Sequence, residues 1–172
     1  MQFSIGDKVV YPNQGVCEVK DICRRSIAGR QDEFYVLKIL SNHSMLMIPI
    51  VNVDNVGLRR LAEESDLDEL FEIFRNDSDE MEQDWKNRYK DNVEKMKTGC
   101  ILEVGRVLQS LYFLSFQKAL SFREKKMYER AWQLVVSEIA TVRNRPDSEI
   151  HDLVDQILTS AYQRLHAEVP TA

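Results

Sequence analysis

The segment MLMIPIVNVDNVGLRRLAEESDLDELFEIF, residues 45–74, contains the change in periodicity that decides the fold. Its first four residues are a short apolar run. From residue 66 onward the apolar side chains recur at helical spacing instead, at Leu67, Leu70, Phe71 and Phe74. The sequence therefore predicts an α+β protein in which a β-rich domain, residues 1–61, precedes a helical domain, residues 62–172.

The N-terminal domain shows the pattern of short strands separated by turns. Strand-forming residues occupy 8–11, 16–22, 34–40 and 45–48, and turn-forming residues occupy 12–15 and 28–29. Four or five short strands in about sixty residues predict a small SH3-like or Tudor-like β-barrel.

The strand at 45–48 is apolar at every position, although a small barrel buries only one face of each strand. Something is therefore expected to cover its outer face. Two candidates remain open: the C-terminal half of the chain, or a partner protein that docks on the strand or its edge.

The C-terminal domain has the pattern of five helices that form a compact bundle. Helix 66–74 comes first, and Ser78 is placed to cap a second helix over 79–98 that stops before Gly99. A third spans 101–116. Ser121-Phe122-Arg123-Glu124 is a capping box that opens a fourth helix toward Val142, and a last one follows Pro146.

Composition excludes several classes of protein. The chain has 172 residues, of which 44% are apolar and 30% charged, so intrinsic disorder is excluded. The longest apolar run, residues 45–51, is too short to cross a membrane. No secretion signal is visible at the N-terminus, and the three cysteines, Cys17, Cys23 and Cys100, form no C-x-x-C pair. We expect a cytoplasmic protein with reduced thiols.

Residues for catalysis are not grouped in the sequence. The six glycines are scattered, so no phosphate-binding loop can be assembled. His151 and His166 lie about 22 Å apart on one predicted helix, too far to share a metal or a proton, and His43 lies in a turn. The sequence predicts no enzyme, no metal and no cofactor.

Charge is distributed unevenly around the second predicted helix. The net charge of the chain is −5, but residues 62–84 carry eleven acidic side chains and one basic one, whereas residues 85–97 carry five basic and two acidic. This pattern is also typical of an ordinary solvated helix surface, so charge alone does not show whether the surface binds a ligand.

Trp85 lies on an apolar stripe of this helix with Met81, Tyr89, Val93 and Met96. One interpretation is a buried stripe bordered by lysines whose stems lie along the core. The other is a minor-groove wedge with cations placed to reach phosphates. The cations are Lys86, Lys90 and Lys97 on one border, Arg88 and Lys95 on the other, and Lys125 and Lys126 on the next long helix. Such a surface would follow DNA shape and not base sequence.

Two sets of segments resemble the CarD/CdnL family of bacterial transcription regulators. Residues 3–15, 34–37 and 48–49 resemble its N-terminal domain, and residues 85–92, 94–95 and 120–127 resemble its C-terminal helical domain. The N-terminal domain is shared with transcription-repair coupling factors, but no nucleotide-binding loop of a motor protein is present. The chain also lacks the basic tail of the longer CarD proteins, so it resembles the stand-alone CdnL type.

The resemblance implies a Tudor-like domain that docks on the β subunit of RNA polymerase and a helical domain at the upstream edge of the promoter bubble. Trp85 would wedge into the minor groove, nearby cations such as Arg88 and Lys90 would contact the backbone, and the open complex would live longer. The expected polymerase-binding residues are Arg25, Ile27, Met47 and Pro49. The protein would be associated with the nucleoid through the polymerase.

At two positions this sequence departs from the family pattern, which affects how far the roles of individual family residues apply to it. Cys17 stands where many relatives have glycine, and Met47 where some have a basic residue, so part of the polymerase contact is expected to be apolar. The alternative function is a protein–protein adaptor that uses both domains without contacting DNA.

Overall fold

The computed structural model describes residues 2–76 and 85–167, without the Trp85 side chain. The chain divides into two compact units, Met1–Leu61 and Ala62–Ala172, which are described one at a time. We call them the sheet unit and the helical unit.

The sheet unit contains five antiparallel strands in the order β4-β3-β2-β1-β5. The strands are β1 (Lys8–Tyr11), β2 (Gly15–Ile27), β3 (Arg30–Ile39), β4 (Met45–Pro49) and β5 (Arg59–Arg60). A 3₁₀ turn over Ile50–Asn52 and the short helix α1 (Val53–Val56) connect β4 to β5. The predicted Tudor-like fold with four or five strands is confirmed.

Strands β2 and β3 form a hairpin longer than the sequence pattern predicts. The pairing continues to Ile27 opposite Arg30, where Ala28 and Gly29 have φ values of 49° and 79°. Two consecutive positive φ values are typical of a type I′ turn, whose twist matches that of the strands. The sequence pattern predicts strands only up to residue 22 and from residue 34, because residues 23–33 are mostly polar and exposed and show no apolar alternation.

The core of the sheet unit lies on one face of the sheet. Its buried residues are Phe3, Val9, Cys17, Val19, Tyr35, Leu37, Ile39, Ile48, Val53 and Leu58. The Phe3 amide donates a hydrogen bond of 2.9 Å to the Tyr35 hydroxyl, which pins the N-terminal segment to β3. Burial raises the pKa of the Cys17 thiol to about 11, so this departure from the family pattern is an inert core side chain at neutral pH.

The described helical unit contains the five helices that the sequence predicts. They are α2 (Glu64–Arg75), α3 (Trp85–Lys97), α4 (Ile101–Gln117), α5 (Phe122–Arg143) and α6 (Asp147–His166). Gly99, with φ of 69°, follows the end of α3 as predicted. The proposed cap at Ser78 and the stripe residue Met81 lie outside the described residues.

Helix α4 lies at the centre of this unit and packs against α2, α3 and α5. The apolar stripe of α2 is buried at all four of its predicted positions. Gly105 of α4 allows α2 to approach closely, because a Cβ atom there would collide with the Leu70 side chain. The Tyr112 hydroxyl hydrogen-bonds to Asp155 and Thr159 at 2.9 and 2.5 Å, which ties α4 to α6.

Two observations bear on membrane and metal chemistry. In the described ranges, no helix is both long and apolar enough to cross a lipid bilayer. Within the same residues, no three His, Cys, Asp or Glu side chains are grouped so that they could hold a metal ion. His151 and His166 are both exposed and stack on aromatic rings, of Trp132 and Tyr162 respectively.

Candidate polymerase and nucleic-acid interfaces

The first turn of α5 is fixed by the capping box that the sequence predicts. The Glu124 amide donates a hydrogen bond of 3.2 Å to Ser121 Oγ, and Glu124 Oε1 accepts one of 3.5 Å from the Ser121 amide. The backbone that carries Lys125 and Lys126 is therefore held at a defined place.

Glu124 also binds Arg88 of α3. Arg88 Nη2 lies 3.1 Å from Glu124 Oε2, and the two side chains are only 6% and 5% exposed. The guanidinium that the sequence predicts to contact a DNA phosphate therefore lies buried against a carboxylate in this structure, and the phosphate contact stays a prediction. The sequence pattern gave no sign of this partner, which lies 36 residues further along the chain.

The buried face of α3 differs from the predicted one. Among residues 86–97, the buried side chains are those of Arg88, Asn92 and Met96. Tyr89 and Val93, which the predicted stripe placed with Trp85, are half-buried. The face is rotated because Arg88 and Asn92, which a hydrophobicity pattern assigns to solvent, point inward. The prediction for Trp85 itself concerns a side chain outside the described part.

Most of the predicted DNA-contacting cations are exposed. Lys86 and Lys90 on α3 and Lys125 and Lys126 on α5 present their side chains to solvent. Lys97 is also exposed and forms an ion pair of 3.3 Å with Glu94, whereas Lys95 is half-buried. Both lie in the last turn of α3, where a cation is favoured by the helix dipole whether or not DNA binds.

Phe122 is a feature of this surface that the sequence analysis did not single out. Its side chain is 72% exposed, and Lys126 Nζ lies 4.5 Å from the centre of its ring. The sequence carries a signal for this contact, an apolar residue at the first helical position four residues before a lysine.

The four predicted polymerase-binding residues lie on one face of the sheet. Cys23 pairs with Phe34, and Phe34 pairs with Pro49, so these three residues form a row across β2, β3 and β4. Because side chains alternate along a strand, Arg25 and Ile27 share the face of Cys23, and Met47 shares that of Pro49. This face, opposite the core residues Tyr35 and Ile48, is called the outer face below.

The outer face is mixed: exposed apolar side chains lie beside Arg25 and Asp32, whereas Phe34 on this face is buried. Ile27 is 58% exposed and Met47 is 45% exposed, while Arg25 is exposed and Pro49 half-buried. Met45, which shares this face, is also exposed. Strand β4 is the end strand of the sheet order, so the row of apolar side chains continues to an edge.

Comparison with known protein families identifies both units. The family model described as the CarD-like/TRCF RID domain matches residues 3–62, and the model of the CarD C-terminal domain matches residues 69–155, half of the chain. The chain belongs to the CarD family. This is a family of transcription regulators and not a class of enzymes.

Individual relatives of this CarD-family protein are similar over one or both units. YdeB of Bacillus subtilis (strain 168), named as a candidate transcription factor, is 29% identical over 148 residues, which are 86% of this chain and 97% of YdeB. The solution structure of the 72-residue N-terminal domain of Myxococcus xanthus CarD is 37% identical and covers 34% of this chain and 79% of its own, with a TM-score of 0.31. CdnLNt from the same organism is 52% identical and covers 35% and 84%, with the same TM-score.

Proposed function

We propose that this protein regulates transcription initiation by docking its outer face on the β subunit of RNA polymerase and placing the start of α3 against promoter DNA at the upstream edge of the bubble. Trp85, the first residue of α3, acts as the wedge. Unstacking a base step costs a few kcal/mol, so a side chain that occupies the gap slows the closure of the bubble.

The single observation that carries the docking half is the grouping of Arg25, Ile27, Met47 and Pro49 on one face. These residues come from two strands that are not adjacent, yet the register of β3 aligns them. A mixed surface of exposed apolar side chains beside an arginine is typical of protein interfaces. Membership of a family with an RID domain supports a polymerase subunit as the partner.

The DNA half is supported by the exposed lysines of α3 and α5. Lys86, Lys90, Lys125 and Lys126 can neutralise phosphates but carry no amide pair suited to base edges. Binding is therefore expected to be independent of sequence, weak in isolation, and dependent on the polymerase tether. The acidic side chains of α2 disfavour tight binding to free DNA.

The wedge is tested by the lifetime of the open complex on a weak promoter. Trp85→Ala should shorten it about tenfold, since a lost contact of 1–2 kcal/mol changes a dissociation rate by that order. Phe116→Ala is the control because it removes another exposed aromatic ring of the helical unit. A lifetime equal to that of the wild type would remove Trp85 from the mechanism.

The tether is tested by binding to a β-subunit fragment. Arg25→Glu should weaken binding about tenfold because it reverses a charge on the outer face. Arg24→Glu is the matched control, since Arg24 is the neighbouring residue on the opposite face, where it pairs with Glu33 at 2.9 Å. Equal binding by both variants would contradict the docking assignment. An adaptor without DNA contact would dock normally but would not extend the polymerase footprint upstream.

A further inference from the structure

Among the described side chains in the first half of helix α3, the buried one is the polar side chain of Arg88. Of its buried residues in the described range, Met96 belongs to the apolar core and lies in the last turn. The other two, Arg88 and Asn92, are polar. The half of the helix that carries Lys86 and Lys90 is therefore held in part by the contact that Arg88 makes with Glu124.

The Arg88–Glu124 pair has the properties of an anchor. Both side chains are almost fully buried, whereas other ion pairs of the helical unit, such as Lys97–Glu94 and Arg145–Glu149, lie on the surface. Surface pairs contribute little to structure, but a buried pair is costly to break because the remaining charge is left without compensation. The pair therefore favours one arrangement of α3 relative to the start of α5.

One carboxylate thus fixes two parts of the proposed DNA surface. Its Oε1 closes the capping box that starts α5, just before Lys125 and Lys126, and its Oε2 holds Arg88. We infer that Arg88 and Glu124 are positioning residues, which hold the first half of α3 in the orientation that presents Trp85 and Lys90 to DNA. This inference rests on the proposed function, and it assigns Arg88 a role other than phosphate contact.

The two roles for Arg88 predict opposite effects of a Glu124 substitution on the action of the protein at the promoter. If Arg88 contacted a phosphate, Glu124→Gln would free a guanidinium and remove a negative charge near DNA, so promoter binding would strengthen. If the pair positions α3, the same change weakens the action on the promoter. Glutamine serves at the third position of a capping box as glutamate does, so the start of α5 is preserved.

The experiment compares Glu124→Gln with the wild type in two measurements. The open-complex lifetime should shorten about threefold or more, the size expected when a coupled contact outside the ligand site is lost. Amide hydrogen exchange in residues 86–92 should accelerate about tenfold, while exchange in α4 stays unchanged. Glu129→Gln, a change of the same kind at an exposed position of α5, is the control and should alter neither measurement.

Each other outcome overturns the inference. A longer lifetime would restore Arg88 as a phosphate contact. Unchanged exchange in α3 would show that the pair does not hold the helix, and faster exchange in α4 would show that it only stabilises the bundle. Trp85→Ala, measured in parallel, separates the two proposals. If Trp85→Ala shortens the open-complex lifetime and Glu124→Gln does not, the positioning role fails and the proposed function stands. If Glu124→Gln shortens the lifetime and Trp85→Ala does not, the wedge role of Trp85 fails.

Discussion

The sheet unit and the helical unit align their predicted binding residues by different physical means. In the sheet unit, Arg25 and Met47 come to one face because main-chain hydrogen bonds set the register of β2, β3 and β4. In the helical unit, Lys90 on α3 and Lys125 on α5 lie on two helices that a buried ion pair, Arg88 with Glu124, joins. A backbone ladder tolerates changes of side chain, whereas a single buried contact does not. The helical surface should therefore be the more easily disrupted of the two.

The largest expected effect is at Gly105, where α4 packs against α2. Gly105→Val should lower the free energy of unfolding of the helical unit by about 3 kcal/mol, because the new side chain collides with Leu70 in a filled core. Urea titration followed by tryptophan fluorescence measures this, since both tryptophans lie in residues 62–172.

Ser115→Val is the control for Gly105→Val, at an exposed position of the same helix. It should change the free energy of unfolding by less than about 0.5 kcal/mol, because serine and valine have similar helix propensities and the position is exposed. A Gly105→Val protein within about 1 kcal/mol of the wild type would show that α2 and α4 can move apart, and the helical unit would then be as tolerant as the sheet unit.

Alkaline pH should weaken the sheet unit before the helical unit. Burial raises the pKa of the Cys17 thiol from 9.0 to about 11, and burial raises that of the Tyr112 hydroxyl from 10.0 to about 12. In each case the folded state retains a proton that the unfolded chain has lost, so stability falls as pH rises through the interval. Each group should contribute a loss of about 2 kcal/mol, between pH 9 and 11 for Cys17 and between pH 10 and 12 for Tyr112.

The measurement is the urea midpoint as a function of pH, by circular dichroism and by tryptophan fluorescence. Cys17→Ala should remove the loss between pH 9 and 11, and Tyr112→Phe should remove the later one. If Cys17→Ala leaves the alkaline profile unchanged, the thiol does not control the stability of the sheet unit at high pH.

The smallest expected effect is at the tip of the hairpin that carries Arg25 and Ile27. Ala28 has a positive φ of 49°, which disfavours most side chains other than asparagine and glycine. Ala28→Asn creates Asn-Gly, the preferred pair for this turn, and should stabilise the hairpin by about 0.5 kcal/mol. Slower amide exchange in residues 24–31 would show it. Ala28→Val should have the opposite effect, and equal exchange in both variants would argue against the type I′ turn.

Much of the fold could be predicted because local patterns and tertiary packing agree. The four apolar residues of the α2 stripe are buried, and the capping box at Ser121 starts α5 where its spacing indicates. The far end of the β2–β3 hairpin could not be predicted, because its strands are held by main-chain pairing and its polar side chains show no alternation.

The surface of α3 was predictable only in part, for a related reason. A hydrophobicity pattern assigns every arginine to solvent, so it cannot identify one whose charge is compensated by a distant carboxylate. Lys86 and Lys90, which the same pattern assigns to solvent, are exposed. The residues of the outer face could be predicted more directly, since alternation along strands determines which residues share a face once the register is known.

The three cysteines form a ready set of chemical reporters. Cys17 is buried and stays protonated at neutral pH, so a thiol reagent will react with Cys23 and Cys100, which are half-exposed. Cys23 lies in the row that contains Phe34 and Pro49, whereas Cys100 precedes α4 in the other unit. The alkylation rate of Cys23 relative to that of Cys100 should therefore fall when a partner covers the outer face, without any cysteine introduced by mutation.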